Sequence, residues 1–290
     1  MLKNPGGTLR RLLEEPGILV APGIYDGITA RLVREAGFPV AYQSGAGVAA
    51  SVTGQPDIGL MTLTETVTVA KNLVSTLDIP LICDADTGYG NVLNVVRTVH
   101  ELEMAGVAAI QLEDQVAPKR CGHLAGKMVV PADEFVQKLR AAVEERLDSQ
   151  TIIIARTDVR AVQGFEAAVE RCKRYIEAGA DMLFFEAPQS VDEIERVGDL
   201  FGEQVPLLAN QLVGGRTPSL TAAELREMGY KIVIFPAVLN FCTCMHLREV
   251  LQRVKTDGTD RSVMGNGSAL DFFNIMGLRD WQGLEGKYLG

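Results

Sequence analysis

The sequence predicts a single (β/α)₈ barrel of the TIM type. Eight short apolar runs alternate strictly with eight amphipathic segments, and no linker-like or low-complexity stretch interrupts them. The runs are continuously apolar, as expected of parallel strands that are buried on both faces. A barrel of this kind commonly takes about 250 residues, and the chain has 290. The strict alternation of eight and eight favours a closed barrel over an open doubly wound sheet.

The predicted strands follow the apolar runs in chain order. They cover residues 18–22, 39–44, 80–86, 107–114, 151–157, 181–187, 205–210 and 231–237. Short runs of this kind suit strands that are covered by helices on one face and by the barrel interior on the other.

The predicted helices lie between and after these strands. They cover residues 26–36, 62–76, 91–105, 132–146, 164–178, 190–201, 219–228 and 238–254. In the third of them, Val92, Val95 and Val99 fall on one stripe at helical spacing. Gly106 follows that stripe as the expected helix stop.

We expect one domain over residues 1–290, in which residues from about 260 form a C-terminal helical extension. This extension carries an apolar patch, including Phe272 and Phe273, that has to pack against another surface, and a neighbouring subunit is one candidate. Cys242 and Cys244 lie in the eighth predicted helix. There, buried structural thiols are a better interpretation than a metal cluster.

Composition argues against several kinds of partner. The chain has 28 Lys and Arg against 37 Asp and Glu, and this acidity argues against nucleic acid or an anionic membrane. No apolar stretch approaches the roughly 18 residues of a membrane span, and the N-terminus lacks a signal-peptide pattern. The five cysteines are odd in number and scattered, which indicates a reducing compartment. We therefore expect a cytoplasmic protein that acts on a small molecule.

Polar side chains follow the apolar runs at their C-terminal ends. They are Tyr42, Gln43 and Ser44, then Asp84 and Asp86, Glu113 and Asp114, Arg156, Thr157 and Asp158, Glu186, Asn210, with Pro236 at the last run. In an eight-stranded α/β barrel these ends meet around one mouth, where active sites lie. A single such residue could merely cap the next helix, but the whole set predicts an active site.

Four carboxylates predict a divalent metal at this mouth. The strand period of two places Asp84 and Asp86 on the same side. Glu113 ends the next strand, and Asp57 lies in the loop after the second strand. Carboxylates this close together destabilise one another without a cation, and an all-oxygen set suits Mg²⁺ or Mn²⁺. The alternative for Asp84 or Asp57 taken singly is a loop cap.

Residues 115–127, after the fourth strand, predict a lid. This stretch is polar and contains glycine, as active-site lids do. Cys121 lies among Lys119, Arg120 and His123, and nearby positive charge lowers the pKa of a thiol. We expect a catalytic cysteine that transfers a proton near neutral pH.

Residues 45–50 formally match the G-x-G-x-x-A fingerprint of nucleotide-binding loops. However, Gly54 and Pro56 would break the helix that this fingerprint requires. We therefore expect a loop whose backbone N–H groups cradle a carboxylate.

Several of these motifs resemble the isocitrate lyase/phosphoenolpyruvate mutase superfamily, over about residues 10–260. They are DADTGYGN at 84–91, EDQ at 113–115, KRCGH at 119–123, IARTD at 154–158, and Asn210 with GGRTP at 214–218. The KRCGH lid is typical of the lyase branch, which includes 2-methylisocitrate lyase, 2,3-dimethylmalate lyase and the petal death protein. The phosphonate mutase and phosphonopyruvate hydrolase branches lack that cysteine.

The resemblance implies a role for each site residue. Asp86 would bind Mg²⁺ most directly, and Asp57, Asp84 and Glu113 would act largely through metal-bound waters. Catalytic roles would fall to Cys121, Lys119, His123, Arg156 and Tyr42. Substrate contacts would come from Ser44, Gly45, Ala46, Asp84, Arg120, Gly122, Arg156, Glu186, Asn210 and Pro236. The family also implies homotetramers in which the last helix is swapped between subunits.

The implied reaction is Mg²⁺-dependent cleavage of the C2–C3 bond of a 2-hydroxy di- or tricarboxylate. A 2-alkylmalate or 2-methylisocitrate would give pyruvate and propionate or succinate, with Cys121 protonating the departing carbon. Either Tyr42 or a metal-held water would accept the hydroxyl proton. Ala46 stands where close relatives often carry glycine. The stretch 210–218 is more similar to the subgroup of dimethylmalate lyase and the petal death protein than to 2-methylisocitrate lyases.

Three alternatives remain open from the sequence. The first is an oxaloacetate hydrolase on the same scaffold. The resemblance implies that such hydrolases need a serine where this chain has Pro236, so the chain departs from their pattern. A phosphoenolpyruvate or carboxyphosphonoenolpyruvate phosphonomutase is disfavoured by Cys121. A non-enzymatic, metal-dependent dicarboxylate-binding barrel would bind ligand without releasing product.

Overall fold

A computed structural model describes residues 2–265 and 267–289 and confirms the predicted (β/α)₈ barrel. Eight parallel strands pair in sequential order, and the last pairs with the first. They are β1 (Leu19–Ile24), β2 (Ala41–Gln43), β3 (Leu81–Asp84), β4 (Ala109–Glu113), β5 (Ile152–Thr157), β6 (Met182–Phe185), β7 (Leu207–Asn210) and β8 (Ile232–Phe235).

Each of the eight predicted helices is present, and further helices precede, interrupt and follow them. The helices are α1 (Pro5–Glu14), α2 (Gly27–Glu35), α3 (Gly45–Thr53), α4 (Leu63–Thr76), α5 (Val92–Ala105), α6 (Ala132–Glu144), α7 (Arg160–Gln163), α8 (Phe165–Glu177), α9 (Val191–Phe201), α10 (Ala222–Glu227), α11 (Val238–Asp257), α12 (Arg261–Met264), α13 (Ala269–Ile275) and α14 (Leu278–Leu289). Local signals set their ends. The Asn91 side chain accepts from two backbone N–H groups at the start of α5, and Gly106 ends that helix at φ 89.

Helix α1, which we did not predict, belongs to the barrel core. Its Leu9 and Leu13 are buried in the same apolar cluster as Val40 and Ala108, which directly precede the second and fourth strands. The helix therefore covers the end of the barrel opposite the predicted active site.

The expectation of a loop at residues 45–50 is wrong, because these residues begin helix α3. The Ser44 hydroxyl accepts from the backbone N–H of Gly47 and caps the helix. Gly54 adopts the left-handed conformation at φ 67 and ends the helix after nine residues. Gly54 is thus a C-terminal cap rather than a helix breaker, and Pro56 lies beyond it. Gly45 and Ala46, the first residues of α3, still line the cavity at the mouth of the barrel.

The sheet register places the polar residues of neighbouring strands side by side. Asp84 of β3 lies opposite Gln111 of β4, and Glu113 of β4 lies opposite Arg156 of β5. Asp86 follows β3 in the left-handed region at φ 49, which is uncommon for a residue with a side chain. Strained backbone of this kind is frequent at functional sites.

The chain divides into two compact units, one up to Val238 and the other from Leu239. The prediction of one domain with an extension from about residue 260 stays a prediction. In the second unit, none of the helix residues that the structure describes is buried. Cys242 and Cys244 are therefore exposed, and our interpretation of them as buried thiols is wrong. Among the described residues, no helix is long and apolar enough to span a membrane.

Candidate active site

The strand ends and the loop 115–127 enclose a small cavity of about 60 Å³. Its lining contains most of the residues that the sequence singled out: Tyr42, Ser44, Gly45, Ala46, Asp57, Asp84, Cys121, Gly122, His123, Arg156, Glu186, Asn210 and Pro236. Apolar side chains of Phe184, Leu212 and Ile234 complete the wall. The expected convergence at the mouth of the barrel is therefore found in the structure.

Four of the residues to which we gave a catalytic, substrate-binding or metal-binding role lie outside this lining. Asp86 and Lys119 face a neighbouring, larger cavity of about 460 Å³. Glu113 is fully buried beneath the site. Arg120 is turned away: its guanidinium donates to the carbonyl of Ala125 at 3.3 Å, at the exposed side of the loop. The structure thus does not bring Arg120 to the cavity, because this side chain is used to brace the loop itself.

The carboxylates form the predicted cluster, and the ammonium of Lys119 lies within it. Its Nζ is 2.5 Å from Asp57 Oδ1 and 2.9 Å from Asp86 Oδ1, with only 4% of the side chain exposed. Asp84 Oδ1 accepts from the backbone N–H of Asp86 and from the amide of Gln111, both at 3.1 Å. Lys119 therefore supplies the cation that the cluster needs.

Burial dominates the electrostatics of this cluster. It raises the pKa of Asp86 to about 6, against the opposing effect of Lys119 and with help from Asp84 and Asp57. It also raises the pKa of Glu113 well above the usual range, despite the nearby Arg156. Burial acts to lower the pKa of Lys119, but the surrounding carboxylates outweigh it and raise that pKa well above its ordinary value. These carboxylates are therefore costly to ionise together, and a nearby cation offsets that cost.

The donor set suits a hard divalent cation that keeps some of its waters. Within residues 2–265 and 267–289, no three acidic, histidine or cysteine side chains are placed to chelate one ion together. Mg²⁺ commonly binds through one or two carboxylates plus waters, so such a chelating group is not required. Glu113 Oε2 is buried without a hydrogen bond, although Arg156 Nη1 lies 3.2 Å away. The Lys119 ammonium already lies against oxygens of Asp57 and Asp86, so the cluster can hold a cation, and this supports the fit.

Close packing at Gly45 joins the cluster to helix α3. A Cβ atom on Gly45 would lie 2.7 Å from Asp84 Oδ2 and 3.6 Å from Asp86 Oδ1. Oxygens of both aspartates therefore face the start of α3, as the strand period predicted. The first N–H groups of a helix are a favourable place for an anionic group.

The loop 115–127, which we call the lid, is closed over the cavity. Its two ends pair with each other, since the backbone N–H of Val116 donates to Met128 at 2.8 Å. The N–H of Cys121 donates to the carbonyl of Asp57 at 3.1 Å. Gln115 Nε2 donates both to Glu113 Oε1 at 2.8 Å and to the Arg120 carbonyl at 2.7 Å. The lid is thereby attached to the carboxylate cluster.

The expected lowering of the Cys121 pKa is not found. Burial raises the pKa of this thiol, and Asp57 and Glu186 add to that effect, against a backbone hydrogen bond at His123 and the charge of Arg156. Burial also lowers the pKa of His123, so the imidazole is neutral near pH 7. Lys119 is paired with aspartates. The cations that flank Cys121 in the sequence therefore do not act on it in the fold, and the group is a thiol.

Arg156 is held in place by acidic neighbours. Its Nε lies 2.9 Å from Asp158 Oδ2, and its Nη2 lies 3.1 Å from Asp158 Oδ1, which makes a bidentate pair. Burial acts to raise the pKa of Asp158, but Arg156 and Lys127 outweigh it and the pKa is lowered. The guanidinium lies 5.1 Å above the ring of Phe184. The result is a fixed positive group at the cavity wall.

Tyr42 donates from its hydroxyl to Gln111 Oε1 at 3.0 Å. Burial raises its pKa well above the ordinary value, and Asp84 adds to this effect. A phenol that holds its proton this firmly is poorly suited to act as a base. Of the two acceptors considered for the hydroxyl proton, Tyr42 is therefore the less suitable.

Sequence reasoning missed Gln111, and it named Gln115, Lys127 and Asp158 only as members of the lid or of the strand-end set. All four are buried at the site. One signal for Gln111 was available, because it precedes Glu113 by two residues and so shares its face of the strand. Nothing in the sequence distinguished Lys127 from other lysines.

The chain is similar to known proteins both in sequence and in fold. The family model described as phosphoenolpyruvate phosphomutase matches residues 9–255. The chain is 43% identical over 288 residues to 2,3-dimethylmalate lyase of Eubacterium barkeri, covering 98% of each chain. It is 43% identical over 284 residues to 2-methylisocitrate lyase of Aeropyrum pernix, covering 97% of this chain and 90% of the relative.

The fold of the chain is similar to that of several solved structures. A crystal structure of 2,3-dimethylmalate lyase superposes with a TM-score of 0.95 at 39% identity, over 99% of this chain and 96% of that one. Oxaloacetate acetylhydrolase with 3,3-difluorooxalacetate superposes with a TM-score of 0.93 at 36% identity, over 99% and 98%. Phosphonopyruvate hydrolase with oxalate and Mg²⁺ gives a TM-score of 0.88 at 30% identity, over 99% and 100%.

Proposed function

The chain belongs to the phosphoenolpyruvate mutase/isocitrate lyase superfamily, and we propose that it is a Mg²⁺-dependent carbon–carbon lyase. Its substrate would be a 2-hydroxy dicarboxylate or tricarboxylate of the 2,3-dimethylmalate or 2-methylisocitrate type. The products would be pyruvate and propionate or succinate. Relatives at 43% identity that carry both lyase names support this proposal.

One observation carries the proposal. Cys121 of the lid and Asp57 and Asp84 of the carboxylate cluster line the same small cavity. A protonated thiol therefore faces the carboxylates that would hold the metal ion, and the substrate would bind to that ion. This arrangement suits a reaction in which a hydroxy acid is held on one side and a carbanion is protonated from the other.

Asp86 would hold the divalent cation most directly, and Asp57, Asp84 and Glu113 would contact it through water. When bound, the cation would lower the pKa of the substrate's 2-hydroxyl and neutralise the adjacent carboxylate. The ordered carboxylate of Asp84, and the placement of Asp57 and Asp86 around one ammonium, support this assignment. Mn²⁺ would serve in place of Mg²⁺, because both accept oxygen ligands.

The chain's own residues would orient the substrate around the bond that breaks. The hydroxyl of Ser44 and the N–H groups of Gly45 and Ala46 would bind the carboxylate of the pyruvate half. Arg156 would balance the charge that grows on the other half, beside Asn210 and Glu186. The closed lid would exclude water, which strengthens these electrostatic contacts.

Cleavage would transfer a proton from the thiol. A water beside the carboxylate cluster would accept the 2-hydroxyl proton. C2 would then become a carbonyl carbon, and the electrons of the C2–C3 bond would pass to the departing carboxylate fragment. Cys121 Sγ would then give its proton to C3 and complete the second carboxylic acid. The raised pKa of Cys121 supports this role, because the group has to hold a proton before it can deliver one.

A second candidate function is oxaloacetate hydrolysis. The superposition with oxaloacetate acetylhydrolase favours it on fold alone. Pro236 lines the cavity where hydrolases of this superfamily need a serine, so the lyase reaction is the better supported. A phosphonomutase is further disfavoured by the cysteine in the lid.

The test is a panel assay that couples pyruvate release to lactate dehydrogenase. Purified enzyme with Mg²⁺ is offered 2,3-dimethylmalate, 2-methylisocitrate and citramalate, with isocitrate followed separately through glyoxylate. We expect one of the first two to give the highest kcat/KM. If the enzyme cleaves none of these hydroxy acids but releases oxalate from oxaloacetate, the proposal is overturned.

Cys121→Ala should lower kcat by about 10²- to 10⁴-fold, the range for loss of a positioned acid.

We further propose a cytoplasmic homotetramer with exchanged C-terminal helices. Support comes from the apolar side chains exposed on α11, α13 and α14, such as Phe241, Phe272 and Trp281. Surfaces this apolar usually mark a protein interface. Five free cysteines support a reducing compartment.

A further inference from the structure

The lid contains a second buried lysine, which the proposed chemistry does not use. Lys127 lies at the end of the lid, and only 2% of its side chain is exposed. Its ammonium donates to the carbonyl of Gly122 and to Asp158 Oδ1, the latter at 2.8 Å. A buried ammonium is costly unless it is paired, so both contacts constrain where this residue can lie.

The first contact fixes the turn that carries the thiol. Gly122 directly follows Cys121, and the N–H of Leu124 donates to the Cys121 carbonyl at 2.9 Å, which closes a tight turn. Gly122 also packs closely against Glu186 and Arg156: a Cβ atom there would lie 2.7 Å from Arg156 Nη2. A bond to the Gly122 carbonyl therefore holds the turn against the cavity wall.

The second contact shares a carboxylate with Arg156. Asp158 Oδ1, which accepts from Lys127, also accepts from Arg156 Nη2, and Oδ2 accepts from Arg156 Nε. The backbone N–H of Asp158 donates to Asp114, so this carboxylate is anchored to the barrel. One fixed acidic group thus orients a cation of the lid and a cation of the barrel wall.

We propose that Lys127 is a positioning residue, which ties the Cys121 turn and Arg156 to the single carboxylate of Asp158. The thiol then reaches the cavity beside the guanidinium only when the lid is closed. The proposal rests on the proposed function for the roles of Cys121 and Arg156, but its structural content does not depend on the substrate.

The test measures how well the closed lid protects Cys121. The rate of alkylation by iodoacetamide is followed at this residue by peptide mass spectrometry, in Lys127→Met, Lys127→Arg and wild type. We expect Lys127→Met to speed alkylation of Cys121 by about tenfold or more, because breaking a buried ion pair releases the turn. Lys127→Arg keeps a cation that reaches Asp158 and should restore most of the protection.

The matched control is Lys138→Met. Lys138 is also a buried lysine that donates to a main-chain carbonyl, that of Thr87 at 3.2 Å, but it makes no lid contact in the hydrogen bonds described. A general loss of stability would affect both variants, whereas loss of positioning would affect Cys121 only in Lys127→Met. Equal alkylation of Cys121 in the two variants would overturn the proposal.

Kinetics give a second measurement. Misplacing a catalytic group by about 1 Å can lower turnover by roughly a hundredfold. On the substrate found in the panel assay, Lys127→Met should therefore lower kcat much more than it changes KM, and Lys127→Arg should recover part of kcat. An unchanged kcat would contradict the proposal.

Two further outcomes separate the possible failures. If Lys127→Met does not melt cooperatively, Asp158→Asn removes the shared charge without changing shape, and it should expose Cys121 in the same way; a protected Cys121 there would contradict the proposal. If no hydroxy acid is cleaved but Cys121 is still exposed by Lys127→Met, the proposed function fails and the positioning role stands.

Discussion

Cys121 illustrates how burial, more than sequence neighbours, sets the chemistry of a single residue in this site. The thiol is half-buried in the closed lid, and burial raises its pKa. An acid is active in its protonated form, and a raised pKa extends that form to higher pH. The proposed role therefore needs no activating cation next to the sulfur.

The raised pKa of Cys121 gives a pH prediction. Alkylation requires the thiolate, so its rate at Cys121 should reach half its maximum above the value of about 8.5 for a free cysteine. Correspondingly, lyase activity should persist as pH rises through that value and fall only at higher pH. The measurement is the pH profile of alkylation by peptide mass spectrometry, with a short cysteine peptide as the reference. A profile that lies below that of the peptide would contradict the assignment.

Lys119 leads to a prediction about metal affinity. Its ammonium lies between Asp57 and Asp86, so without substrate it competes with a divalent cation for the same oxygens. Replacing it with methionine should tighten Mn²⁺ binding by about tenfold, since it leaves buried carboxylates without a counter-charge. Electron paramagnetic resonance of free Mn²⁺ measures this directly.

Arg120→Met serves as the control for that measurement. It removes the same charge from the next position of the lid, but the Arg120 guanidinium contacts the Ala125 carbonyl rather than a carboxylate. We expect its effect on Mn²⁺ affinity to be small. Equal or weaker Mn²⁺ binding in Lys119→Met than in wild type would show that Lys119 does not compete with the cation.

At the scale of elements, helix α3 brings backbone against the carboxylate cluster. Gly45, the first residue of the helix, leaves only enough room for Asp84, whose carboxylate is fixed by the N–H of Asp86 and by Gln111. Gly45→Ala should therefore displace the carboxylate, weaken Mn²⁺ binding and destabilise the fold by about 1–3 kcal/mol, as overpacking does. Mn²⁺ titration and thermal melting measure the two effects.

Gly27→Ala is a closely matched control for Gly45→Ala. Gly27 is the first residue of α2, and a Cβ atom there would meet nothing within 4 Å. Alanine favours helix over glycine, so this variant should be neutral or slightly stabilising. If the two variants behaved alike, close packing at Gly45 would not explain the presence of glycine.

Helices α5, α3 and α1 show what the local sequence can and cannot predict. The start of α5 at Asn91 and its end at Gly106 were predictable because the caps act on their own neighbours. In α3, Gly54 has the same role as Gly106, but we interpreted it as a breaker because it follows so short a helix. Helix α1 was missed because its apolar residues are buried only by contacts with distant parts of the chain: Leu9 packs into the core at the far end of the barrel.

For the whole molecule, closure of the barrel explains why so much of the site followed from the sequence. Residues as distant as Tyr42 and Asn210 end strands of one barrel, so topology alone brings them together. The lid does not obey that rule. In the closed lid Lys119 contacts carboxylates, whereas the adjacent Arg120 contacts the Ala125 carbonyl. Sequence proximity therefore misled us about Cys121.

The C-terminal unit gives the last prediction, on assembly. Phe272 and Phe273 contact each other edge to face, yet about half of each side chain is exposed, and Trp281 is 68% exposed. Exposing large aromatic side chains to water is unfavourable in free energy, and clusters of them are typical of protein interfaces. Replacing Phe272 and Phe273 with aspartate should therefore lower the mass seen by light scattering from four times the chain mass of 31.4 kDa to that of a smaller species.

Leu147→Asp is the control, at an apolar residue of the barrel unit that is 61% exposed, and it should leave the mass unchanged. A tetramer that survives the double substitution would show that these aromatic rings are not part of the interface, and a wild-type monomer would refute the assembly itself.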